Sequence, residues 1–268
     1  MCIIKLIHKG VSALKKIYFL LNHEMRGMYK TVTAVCLSLI VLQQVLIIKS
    51  LDYYPNRFER FELLFAKSGA VMVFLVCLFI LCGLCIYNVY SNYIESKSVY
   101  TLFTFPIPRE YVFFSKLITH AVCFLILVAS QIISAAAGYG IYCFYNSSLH
   151  INGLTAKANN GLFLAFIRSD FFRILLPFGL KSLLSSAALF INLVCTLYYA
   201  VICERSRRYF RFAIVILNLS LIIYSLIYRM NILTASGFYI NVLSVVLFLT
   251  AIFAVYDSLR LIKKSAVV

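Results

Sequence analysis

TLFTFPIPREYVFFSKLITH, residues 101–120, places two prolines, an Arg-Glu pair and a Ser-Lys step between two strongly apolar runs. Upstream lies AVMVFLVCLFILCGLCIYNVY (70–90), downstream AVCFLILVASQII (121–133). Each run approaches the roughly 20 apolar helical residues that cross a hydrocarbon core. A polar, proline-bearing turn between them belongs at the edge of water, with the runs in a bilayer. These runs are apolar on every face, whereas a transmembrane barrel needs alternation, so the expected fold is an all-α polytopic membrane protein.

The whole chain agrees. Hydrophobic residues make up 63% of its 268, charged residues 13%, and mean hydropathy is +0.95, outside the range of a soluble domain. The formal charge of +16 could suggest nucleic acid. The cations, however, flank apolar segments instead of forming one basic surface, the arrangement expected beside an anionic cytoplasmic leaflet. Cys36, Cys77, Cys82, Cys85, Cys123 and Cys195 fall inside apolar runs and act there as small hydrophobes. Cys82-Gly-Leu-Cys85 has redox-motif spacing, but its place within a span favours packing.

Six spans are predicted, at about 31–48, 69–90, 111–142, 178–202, 212–229 and 239–257. The third is long enough to project from the bilayer or to kink. Before the first, residues 3–21 set Ile4, Ile7, Val11, Leu14, Tyr18 and Leu21 against Lys5, Lys9, Ser12 and Lys16, which predicts an amphipathic helix in the membrane interface. A signal peptide is the competing reading, opposed by lysines within the would-be apolar region. With residues 1–30 inside, the outer segments hold Lys49, Arg57, Arg60, Lys67, Lys157, Arg168, Arg173, Lys181 and Arg229, only nine of the 25 Lys and Arg. Both termini are therefore expected in the cytoplasm. Tyr87, Tyr90, Tyr93, Tyr142, Tyr145, Tyr224 and Tyr228 stand near span ends as an interfacial belt.

Of the outer segments, 49–67 is expected to be a short polar loop. The longer one, 143–177, carries GLFLAFIRSDFFRILLP, which Arg168, Asp170 and Arg173 break too often for a span. An interfacial helix is expected there, with a bent seventh span as the alternative. No loop accommodates a soluble domain, so residues 1–268 are read as a single transmembrane domain.

Within the polar elbow, 93–105 offers Ile94, Val99, Leu102 and Phe103 amid polar residues, the pattern of a short helix along the cytoplasmic face. Pro106 and Pro108 end it by removing amide donors and pushing their predecessors toward extended geometry. Arg109 and Glu110 meet water, and Lys116, near the start of the next span, is expected to snorkel to the headgroups. An ordinary proline-containing loop is the plain alternative.

Glu95, Thr101-Leu102, Pro106-Ile107-Pro108-Arg109, Tyr111 and Ser115-Lys116 resemble the elbow of the membrane subunits of type-2 ABC transporters, the ABC-2 permease family. The match covers about 25 residues at the second and third spans. It departs where Val99-Tyr100 stands in place of a glycine found in many members. The resemblance implies that residues 93–110 form a coupling helix and elbow. Tyr100, Leu102, Phe103 and Phe105 would insert into a separate ABC ATPase subunit, with Glu95, Arg109 and Glu110 at the rim. It also implies a second permease copy or a paralogue, a bacterial plasma membrane, and export of an amphiphilic cargo such as an antimicrobial peptide or drug. No G-x-x-x-x-G-K-[ST] loop occurs, so ATP and magnesium are expected on the partner and no cofactor on this chain.

Polar residues within spans mark candidate pathway positions: Gln43, Gln44, Gln131, Asn192, Asn218 and Asn241. Interhelical hydrogen bonding is the simpler role for each, and SAAAG (134–138) and SSAA (185–188) are small-residue faces for close packing. No charge is expected deep in a span, which argues against a proton relay. An intramembrane enzyme would need paired aspartates, H-E-x-x-H or a Cys/His constellation, and none is present. A non-transporting membrane scaffold shares the composition and is distinguished by the missing ATPase.

Overall fold

The computed structural model describes residues 2–53, 60–94, 108–148, 150–151, 154–155, 161–175, 179–206, 209–230 and 237–265. Helices dominate: α1 (Cys2–Tyr53), α2 (Phe61–Lys67), α3 (Ala70–Ile94), α4 (Arg109–Ser148), α5 (Leu162–Arg168), α6 (Asp170–Leu175), α7 (Leu180–Arg205), α8 (Phe212–Met230) and α9 (Gly237–Ser265). Among the described residues, the single strand pairing is β1 (His150–Ile151) with β2 (Leu154–Thr155), antiparallel, with His150 opposite Thr155. Six helices are long and apolar enough to cross a membrane: α1, α3, α4, α7, α8 and α9. The all-α polytopic fold is thus the one expected, and each predicted span lies on one of these helices.

The N-terminal segment is helical but is not a separate element. α1 runs unbroken for 52 residues, about 78 Å at 1.5 Å per residue, far more than a bilayer core. Its continuity has a packing cause. Leu20, Glu24, Met28, Val32, Cys36, Leu39, Gln43, Ile47 and Leu51 are all buried, at spacings of three or four, so one contact stripe crosses the 22–30 segment without a change of phase. That segment contains no proline to break it.

α4 and α7 are the most enclosed spans, and α8 and α9 the least. α1 packs most extensively along α4, and α9 along α7. The small-residue face of α4 explains the first pairing. At Gly138, an added Cβ would lie 2.6 Å from Ile47 Cδ1, so the two backbones approach more closely than a side chain would permit.

The end opposite the elbow is closed by an aromatic cap. The segment expected to be a polar loop contains α2, which buries Phe61, Leu64 and Phe65 and places Glu62 in its first turn and Lys67 in its last. Gly69, at φ 78°, then reverses the chain into α3, a conformation that glycine adopts without steric cost. The patch at 161–175 is not a seventh span. It forms α5 and α6, separated at Ser169, with Phe166 and Phe172 in edge contact at 4.6 Å. Phe172 meets Phe65 at 5.1 Å, and Phe61 meets Tyr139 at 5.4 Å. Tyr142 belongs to this buried cap, not to an interfacial belt, whereas Tyr87 and Tyr224 are exposed as a belt requires.

Candidate functional site

The candidate coupling residues Glu95, Tyr100, Thr101, Leu102, Phe103, Phe105 and Pro106 lie outside the described residues. The elbow's second half is described. Pro108 is exposed, and its carbonyl accepts the Tyr111 amide at 3.0 Å, so α4 opens directly after the proline with Arg109 and Glu110 in its first turn. Proline is well suited to this edge because the first amides of a helix have no intrahelical partner.

Lys116 does not snorkel. It is 1% exposed, one member of a polar face of α4 made by Ser115, Lys116, Thr119 and His120, all buried. Their spacing of i, i+1, i+4, i+5 turns them toward the bundle interior, where an ammonium requires a counter-charge. Glu24 of α1 supplies it: Lys116 lies within electrostatic reach of Glu24, while the like charge of Arg205 on α7 opposes it. Glu24 Oε2 accepts a 3.2 Å hydrogen bond from Asn88 Nδ2 of α3. Tyr90 of α3 donates to Glu204 of α7, and the Arg205 guanidinium stands 6.0 Å from the centre of the Tyr90 ring. Thus α1, α3, α4 and α7 are joined by charged and polar groups within two turns of the elbow.

One turn beyond Lys116, His120 is 2% exposed, and neither ring nitrogen has a hydrogen-bond partner among the described residues. Its ring meets Tyr198 of α7 edge-on at 5.9 Å. A second tie at the same end joins the 3-10 turn Tyr209–Arg211, just before α8, to α9, where Arg211 forms an ion pair with Asp257. The same Asp257 oxygen accepts the Tyr199 hydroxyl of α7 at 2.8 Å. The sequence signal for this pairing is the ERSRRYFR cluster (204–211) together with the sole acid of the last span.

The candidate pathway residues are spread over α1, α4, α7, α8 and α9. Gln43 donates to Gln131 Oε1 at 2.8 Å and to the Ala70 carbonyl at 2.9 Å, tying α1 to α4 and α3. Gln44 donates to the Ser134 carbonyl at 2.8 Å and to its hydroxyl at 3.0 Å. Asn192 is buried on α7 and accepts from Thr196 at 3.3 Å. Asn218 is buried on α8 with both amide atoms unpartnered among the described residues, while Asn241 is exposed on α9. The glutamines therefore act as interhelical ties.

Fold and site together define a multi-pass α-helical membrane protein whose spans are cross-tied by charged groups behind a proline elbow. No protein-family model, curated protein or solved structure matches the chain.

Proposed function

We propose that this chain is the membrane-spanning permease subunit of an ATP-driven exporter, with the Glu95–Lys116 elbow as the docking site for a separate ABC ATPase subunit. The observation that supports it most is the tie behind the elbow. A rigid-body shift at the start of α4 would be passed through Lys116 to Glu24 of α1, through Glu24 to Asn88 of α3, and through Tyr90 of α3 to Glu204 of α7. A loop that merely connected two spans would need no buried charge there, and burying one is costly unless it is paired. On this reading ATP closes two ATPase subunits, two permease copies or paralogues rearrange, and an amphiphilic cargo leaves along a mostly apolar interface. The setting is a bacterial plasma membrane with both termini cytoplasmic, and ATP and magnesium bind the partner.

Co-purification from membranes in mild detergent tests this reading, using the intact chain and the variant Arg109→Glu, Glu110→Lys, Phe105→Ala. An ATPase subunit that accompanies the intact chain and is lost with the equally inserted variant supports it. Absence of any ATPase from the intact chain overturns it in favour of a non-transporting scaffold.

A further inference from the structure

At the end of the bundle opposite the elbow, three spans bring together a guanidinium and three hydroxyls. Arg229, in the last turn of α8, donates from Nη1 to Ser186 Oγ at 2.9 Å and from Nη2 to Ser185 Oγ, both on α7. Ser244 of α9 meets Ser185 hydroxyl to hydroxyl at 2.7 Å, and Ser186 donates onward to the Ile174 carbonyl at 3.1 Å. Directly beneath, Ala188, Leu189, Ile222 and Leu247 form an apolar floor that closes the cluster toward the bundle centre.

Arg229 is half-buried, yet among the described residues no acidic side chain reaches it. None is near in sequence either, because no Asp or Glu occurs between Asp170 and Glu204 or between Glu204 and Asp257. Asp170 is already held by Arg173 at 3.2 Å. A guanidinium has five N–H donors in a planar fork, and two are used here on neutral oxygens. The remaining donors and the whole charge stay uncompensated, at an apolar boundary where an unpaired charge is most costly. Arginine's fork matches a phosphate in two-point geometry, and the Ser185 hydroxyl, which accepts here from Arg229 and Ser244, keeps its proton to donate to a phosphate oxygen.

We infer that Arg229 with Ser185, Ser186 and Ser244 forms a binding site for an anionic phosphodiester or phosphate group that enters from the membrane edge between α7, α8 and α9. The occupant completes the charge of Arg229 and clamps α8 to α7 and α9. The inference does not depend on an ATPase partner.

Titration of the purified chain in a neutral detergent with phosphatidylglycerol, phosphatidylcholine or inorganic phosphate tests it, read by native mass spectrometry and by melting temperature. Phosphatidylglycerol is expected to bind and to raise the melting temperature of the natural chain and of Arg173→Gln. In Arg229→Gln its affinity should fall by about tenfold or more, the factor given by about 1.4 kcal/mol. Competition by inorganic phosphate would identify a free-anion pocket, and its failure to compete a lipid-headgroup site; both uphold the site. Equal binding of phosphatidylglycerol by the natural chain and Arg229→Gln overturns it, as does equal binding of phosphatidylcholine. Should Arg229→Gln not fold, Ser185→Ala with Ser186→Ala serves instead, and unchanged phosphatidylglycerol affinity there overturns the inference equally.

Discussion

Replacement of Gly138 by alanine should change sign with the residue opposite it. In the natural chain the new Cβ would lie 2.6 Å from Ile47 Cδ1, about 1 Å inside the optimal carbon–carbon separation. Ile47 is fully buried, so its terminal methyl has little room to yield, and overpacking of this kind costs about 1–3 kcal/mol. Alanine returns about 0.5–1 kcal/mol because it restricts the unfolded chain more than glycine does. Gly138→Ala alone should therefore destabilise by up to about 2 kcal/mol. Ile47→Val removes Cδ1 at a cost of about 0.5–1.5 kcal/mol. The closest remaining atoms would be Gln44 Oε1 at 3.5 Å and Ile47 Cγ1 at 3.9 Å, both ordinary contacts. Added to Ile47→Val, the Gly138→Ala change should then stabilise by about 0.5–1 kcal/mol, giving a coupling energy of about 1–3 kcal/mol. Unfolding in mixed micelles with increasing dodecyl sulfate, followed by far-UV circular dichroism, measures all four proteins. The same cost for Gly138→Ala in both backgrounds would refute the close approach of α1 and α4.

Other ties give separable outcomes in the same assay. Gln43→Leu or Gln131→Leu alone should cost about 1–3 kcal/mol by orphaning a buried amide, while the double variant should cost less than their sum. Asp257→Asn should destabilise by on the order of 3 kcal/mol because it strands Arg211, whereas Tyr199→Phe removes one hydrogen bond and should cost only about 1 kcal/mol. Phe172→Ala should cost about 3 kcal/mol by opening the aromatic cap at its contact with Phe65 and Phe166. Glu24→Gln should destabilise by leaving Lys116 buried without its counter-charge, and adding Lys116→Met should recover most of that loss; no recovery would show that the two do not interact.

The six spans were legible because an apolar run of span length has few other uses, and the SAAAG face because close helix packing needs small residues. What the sequence hid depended on partners far away in the chain. Lys116 viewed within its own span is a snorkelling residue; the presence of Glu24 makes burial tolerable, and nothing local announces that meeting. The continuity of α1 was obscured for a similar reason, since Glu24 looks like an interfacial charge until its partners make it part of a contact stripe. α2 was locally readable, with Phe61, Leu64 and Phe65 at helical spacing and an acid at one end and a base at the other. His120 had a usable signal in its i, i+4 relation to Lys116.

The elbow's role is tested most directly by site-specific photo-crosslinking in intact membranes, with a photoreactive residue at position 103 and, as a control, at the lipid-facing Phe253. The account predicts that position 103 captures a nucleotide-binding ATPase subunit and that position 253 does not. If position 103 captures only lipid or a second copy of this chain, the elbow does not dock an ATPase and the permease reading fails.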